Sequence, residues 1–270
     1  MKMNYKEEEH TVSFSRIKYT FINYFEYSSF SYIIFEKIIS PFLEYIMYTI
    51  ILYSVGTSSY LGSILLGTIG FVAVRNIVLN LTNMIRQEKS QSILELKEAS
   101  PKELIILCIE KGIAAFIDSL ILLVISFVIV ILFFNLNFSL FQAIIIFGIY
   151  ILILIEAVAF GIIFSGMSLL LKNTNLFFNI VMSSIQLVSG FIVPISLFPD
   201  YLKKISLTLP FTNGIQAIRL FYSSNQLVAS YPLIMHEAVN MVVLFFVAIF
   251  LFRTLENYGR KNGNIISYSD

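Results

Sequence analysis

The sequence predicts an all-α integral membrane protein, and three observations carry that prediction. Six apolar stretches occupy residues 33–55, 60–85, 104–134, 140–171, 176–198 and 232–252. Each reaches the roughly 20 residues that a helix needs to cross a hydrocarbon core, where only a helix or a closed barrel satisfies its own backbone. Charge is scarce: 57% of the 270 residues are hydrophobic and 13% are charged, and the mean hydropathy is +0.83. A soluble chain would carry about 25% charge. Finally, the connecting segments alternate in basic content, as loops on the two sides of a membrane do.

The elements follow in order. Residues 1–31 begin with a polar run that includes Glu7, Glu8 and Glu9, so no cleavable signal peptide is expected. Phe14, Ile17, Phe21, Tyr24 and Phe25 then recur at helical spacing, which predicts an amphipathic helix lying in the inner interface. The first apolar stretch would act as an uncleaved anchor. Residues 86–100 are too charged to span and are interrupted by Ile93, Leu94 and Leu96. Ser100, Pro101 and Glu103 make a capping box with proline at the first helical position. The reading is a helical elbow that projects on the inner side and runs into span three.

Between spans five and six, Pro194, Pro199 and Pro210 break the chain into two short helices, near 199–208 and 211–223. The second, with Phe211, Ile215, Ile218, Phe221 and Tyr222, is expected to dip back into the bilayer. The whole chain reads as one transmembrane domain: a cytoplasmic or interfacial segment to residue 31, a bundle over 33–252 and a tail over 253–270.

Orientation comes from Lys and Arg. Lys2, Lys6, Arg16, Lys18, Lys37, Arg86, Lys89, Lys97, Lys102, Lys111, Lys172, Arg253, Arg260 and Lys261 fall on one side, against Lys203, Lys204 and Arg219 on the other. Both termini are therefore expected in the cytoplasm of a multi-pass plasma-membrane protein.

Several chemistries are excluded by what the sequence lacks. It has no Gly-rich loop with Lys-Ser/Thr, so ATP hydrolysis in this chain is not expected, and no His-Glu-x-x-His for a zinc protease. A single cysteine, Cys108, rules out an internal disulfide and a cysteine zinc site. The net charge of +1, without a basic patch interleaved with aromatics, gives no sign of nucleic-acid binding. The ionisable residues picked out within the spans are Glu44, Arg75, Asp118 and Glu156, and such groups face protein or water. Arg75 and Glu156 are expected near one depth, lining a path or pairing. Asn76, Asn80 and Asn83 mark span two as a wet-facing helix.

Ser189-Gly190-Phe191-Ile192-Val193-Pro194, then Leu197-Phe198-Pro199, Leu209-Pro210-Phe211-Thr212 and Ala217-Ile218-Arg219, resemble the C-terminal signature of type-2 ABC exporter permeases. Glu88-Lys89, Leu94-Glu95, Ser100-Pro101 and Lys111 are similar to that family's cytoplasmic elbow, and Pro41 falls where its first span often has a proline. Ser92-Ile93 stands where the family carries Gly-Thr.

The resemblance runs from about Phe14 to Phe252. It implies a bacterial permease subunit that forms a homodimer or heterodimer and binds separate ABC ATPase subunits, which would hold ATP and Mg; this chain would hold no cofactor. Glu88, Lys89, Leu94, Glu95, Ser100 and Pro101 would couple to the ATPase. Arg75, Asn76, Glu156, Gly190 and Pro194 would line or gate the path, and Pro199, Pro210 and Arg219 would shape the outer region. Export of a drug, peptide or lipid-like substrate is implied. A membrane-embedded immunity or assembly factor, or an enzyme without transport activity, is the alternative.

Overall fold

The computed structural model describes residues 30–56, 60–90, 104–134, 136, 138–171 and 174–261. The predicted amphipathic helix before Phe30 and most of the elbow, residues 91–103, lie outside the described residues. The described residues are all-helical, with five helices among them long and apolar enough to cross a membrane.

The first of these starts as α1 (Phe30–Ile34), widens into a π turn (Phe35–Ile39) and continues as α2 (Ser40–Val55). The widening has a local cause. Pro41 has no N–H to give to the carbonyl of Lys37, and the Ser40 N–H reaches back five residues to the Phe35 carbonyl. The turn brings Lys37, buried, onto the face that meets the rest of the bundle.

Next come α3 (Leu61–Ser90), α4 (Leu104–Phe134), α5 (Leu140–Leu170) and α6 (Thr174–Val188). A 3-10 turn (Ile195–Leu197) and the short helices α7 (Asp200–Ser206) and α8 (Thr212–Ser224) lead to α9 (Leu227–Lys261). α5 is the hub and packs against α3, α4, α8 and α9. It begins with a capping box: Ser139 and Gln142 exchange side-chain-to-backbone hydrogen bonds at 3.1 and 3.2 Å. Sequence reading placed no cap there.

Three boundaries and one helix face differ from expectation. α3 runs on to Ser90, so Glu88 and Lys89 belong to the helix rather than to a separate elbow. Glu88 bridges Lys111 of α4 at 2.9 Å, and Lys89 donates to the Leu169 carbonyl of α5. These contacts hold the charged last turn against its neighbours. The helix of predicted span five stops at Val188 rather than at 198, because Gly190 turns to a left-handed φ of 78°. α9 starts at Leu227, earlier than residue 232. It accommodates Pro232 because a proline near a helix start removes only a bond at the exposed end. Asn76 and Asn80 are buried against α4 and do not make α3 a wet-facing helix.

Candidate functional site

Three polar clusters sit inside this apolar bundle. The first joins the π turn to α3 and α4. Lys37 Nζ donates to Asp118 Oδ2 at 2.5 Å and to Asn76 Oδ1 at 3.2 Å. The Asn76 amide donates to Asp118 Oδ2 at 2.8 Å and to Ser119 Oγ at 2.7 Å, and the Asn80 amide donates to Asp118 at 2.9 Å. Lys37 and Asp118 are 3% and 1% exposed. A buried charge persists in such a place only when it is paired and hydrogen-bonded, and this cluster pairs both charges. It clips the first span to the bundle.

The second cluster lies where α8 begins. Phe211, the residue before α8, has a φ of 69°, a left-handed conformation that costs a bulky residue roughly 1–3 kcal/mol. Its buried N–H donates to Glu156 Oε2 of α5 at 3.2 Å. Leaving this buried N–H without an acceptor would cost about 1–3 kcal/mol, comparable to the strain of that turn. Glu237 of α9 contacts the carboxyl of Glu156, and both side chains are fully buried. Gly214, in the first turn of α8, leaves room for this carboxyl: a Cβ there would stand 2.9 Å from Glu237 Oε1. Among the described residues neither carboxyl has a salt-bridge partner. Two buried carboxyls this close do not both ionise, so the pair holds a proton. The first turn of α8, whose free N–H groups favour negative charge, is thereby fastened to α5 and α9.

Arg219 of α8 performs the matching task on the other side. Its Nε donates to the Ser63 carbonyl at 2.9 Å, Nη1 to the Gly190 carbonyl, and Nη2 to the Phe191 and Ile192 carbonyls at 2.7 and 3.4 Å. The carbonyls freed where α6 ends are thus taken by one guanidinium fork. Burial lowers its pKa to about 10, which keeps it charged at neutral pH. Gly67 permits the approach: a Cβ there would overlap the Phe191 carbonyl oxygen and stand 2.5 Å from Arg219 Nη2. Gly190, Arg219 and the turn at Pro194 are therefore one unit. Pro194 starts the 3-10 turn, Pro199 sits just before α7, and Pro210 precedes the strained Phe211.

The third cluster is open. Arg75, midway along α3, is exposed. It is close enough for its charge to act on Glu44 of α2, and Gln186 of α6 donates to Glu44 Oε1 at 3.3 Å and to Tyr48 Oη at 3.1 Å. Charged and amide groups from three helices thus line one partly exposed face among apolar residues.

α3 and α5 are neighbours, as a pairing of Arg75 with Glu156 requires. The pair does not form: among the described residues no ion pair joins them, because Glu156 turns toward α8 and α9 while Arg75 lies on the face toward Glu44. Asn76 belongs to the Lys37 clip and not to the open face. Of the elbow residues, Glu88 and Lys89 are described, while Leu94, Glu95, Ser100 and Pro101 lie outside the described residues. Sequence reading missed Lys37 and Glu237 as partners. Both lay within predicted apolar spans, and a charge in such a stretch was the available signal.

An all-helical bundle with several helices long and apolar enough to cross a membrane defines a multi-pass membrane protein. The match to a family model makes this specific: residues 16–222 match the ABC-2 type transporter family, and the chain belongs to it. No curated protein matches the chain.

Proposed function

We propose that this chain is the permease subunit of an ATP-driven exporter, and that it works as a dimer with separate ATPase subunits. The observation that carries the reading is the open polar face of Arg75, Glu44, Tyr48 and Gln186. Charges at mid-membrane are costly against lipid, by about 2.5–3.5 kcal/mol on insertion scales, so this face calls for cover by protein or water. α6 supports the same reading. Phe178, Met182 and Ile185 face inward, while Leu176, Ile180 and Leu187 are exposed, and α6 has few neighbours within its own chain. A second permease copy placed against α2 and α6 would enclose a path lined by Arg75.

In this reading α6 is the fifth of six crossings, and α7 and α8 form a re-entrant cap on the outer side with both termini inside. The Glu156–Glu237 pair and Arg219 pin that cap to α5, α9 and α3. ATP would act through a difference in affinity of the ATPase pair for two arrangements of the permease halves, transmitted by the last turn of α3 at Glu88 and Lys89 and by the elbow at Leu94, Glu95, Ser100 and Pro101. A drug, peptide or lipid-like molecule would be the cargo.

The test is affinity purification of the tagged chain from its native host. A Walker-motif ATPase should copurify, its ATP hydrolysis should depend on this chain, and Glu95→Lys should weaken that dependence without lowering membrane insertion. Recovery of the chain without any ATPase, or equal coupling in Glu95→Lys and Leu94→Asp, would contradict the proposal.

A further inference from the structure

At the end of the bundle that carries α7 and α8, a cleft of about 490 Å³ lies between the start of α3, the 3-10 turn, α8 and α9. Its size falls within the usual range for small-molecule sites. Its polar lining comes from Tyr60, Ser63, Ser196, Gln216, Tyr222 and Ser223, together with Arg219. Gln216, Arg219 and Ser223 recur at intervals of three and four on α8, so they share one face of that helix. The rest of the lining is apolar and includes Pro194, Ile195, Leu220 and Leu233.

The charge of this cleft is unbalanced. Among the described residues Arg219 donates only to backbone carbonyls, which accept its hydrogen bonds but carry no net charge. The lining contains no Asp or Glu. The acids that are buried nearby in the fold, Glu156 and Glu237, are engaged with each other and with the start of α8. A positive centre with weak dipolar compensation, ringed by hydroxyl and amide groups and backed by apolar walls, complements an amphiphile with a negative head.

We infer that this cleft binds an anionic phosphate headgroup, with the apolar lining taking the adjoining part of a lipid chain. The shared chemistry is a phosphate oxygen held in the field of Arg219 and hydrogen-bonded by the hydroxyls and Gln216. The site is independent of the Arg75 path. It rests on the proposed topology only for the statement that it faces the outer leaflet.

The experiment uses the purified full chain in neutral detergent and follows its thermal unfolding. Dioctanoyl phosphatidylglycerol, dioctanoyl phosphatidylcholine and inorganic phosphate are each titrated in. Stabilisation by a ligand follows its occupancy of the folded state. Phosphatidylglycerol is expected to raise the midpoint saturably and phosphatidylcholine to have little effect. Inorganic phosphate separates the sources. A weak effect assigns the site to a lipid-borne phosphate, and an equal effect assigns it to the free anion.

Gln216→Glu adds a negative charge to the cleft without touching the bonds of Arg219. It should weaken phosphatidylglycerol about tenfold or more, and Gln216→Lys should strengthen it. Lys203→Gln with Lys204→Gln, which neutralises the exposed cations of α7, should leave binding unchanged. Equal stabilisation by both lipids would overturn the inference, as would loss of binding in the Lys203/Lys204 variant with none in Gln216→Glu. The assay needs no ATPase and no transport, so a negative result leaves the exporter reading standing.

Discussion

Replacing Glu156 by leucine tests whether the α8 cap is held as described. The Phe211 N–H would lose its acceptor, now at 3.2 Å, in a fully buried place. An orphaned buried donor costs about 1–3 kcal/mol, and the left-handed turn at Phe211 would lose the bond that offsets its strain. Glu237 would also lose its partner. For a chain of this size, each kcal/mol moves the unfolding midpoint by roughly 2–4 °C. Glu156→Leu should therefore unfold about 2–12 °C below the parent in a detergent thermal scan. Glu156→Gln keeps an acceptor for Phe211 and puts an N–H against Glu237 in place of the proton the pair holds, so it should stay within about 1 kcal/mol of the parent. A leucine variant as stable as the parent, or a glutamine variant as damaged as the leucine, would refute the reasoning.

Other consequences can be checked in the same preparations. Asp118→Ala leaves Lys37 buried and unpaired and should cost about 3–5 kcal/mol in unfolding, while Lys37→Met with Asp118→Leu should recover much of that loss. Gly67→Ala pushes a methyl group into the Phe191 carbonyl and Arg219; overpacking of this kind costs about 1–3 kcal/mol, readable as a lower unfolding midpoint. Arg75→Gln removes an exposed charge and should leave the midpoint unchanged while reducing ATP-driven export in vesicles. In a Cys108→Ala background, cysteine at Ser58 or Asn137 should react with an impermeant thiol reagent in intact cells and cysteine at Ser92 should not; the reverse pattern would invert the topology.

Five of the predicted spans were legible because a membrane helix writes its length directly as apolar sequence, whereas predicted span five, 176–198, ends at Val188. The Gly190, Pro194 and Arg219 motif was legible as a signature, but its physical meaning was not. Only the fold shows that a guanidinium on α8 caps the carbonyls exposed where Gly190 ends α6. Partner choice was the hardest part to read. Arg75 and Glu156 lie on packed helices, yet packing of two helices does not set which way a given side chain points around its helix. Lys37 was counted as an orienting charge near the membrane edge, and the π turn caused by Pro41 carries it inward to Asp118. The asparagines of α3 were read as wetted because polar side chains can face water. Asn76 and Asn80 face Asp118 instead, since a buried carboxylate needs several donors.

The central claim is that a second permease copy covers α6 and encloses the Arg75 face. Cross-linking between copies tests it most directly. Cysteine at Ile180 or Leu187, exposed on α6, in a Cys108→Ala background, should form an intermolecular disulfide on mild oxidation in native membranes. Cysteine at Phe246 or Phe250, exposed on α9, should not. Cross-links at α9 with none at α6, or a chain that remains monomeric throughout, would contradict the account.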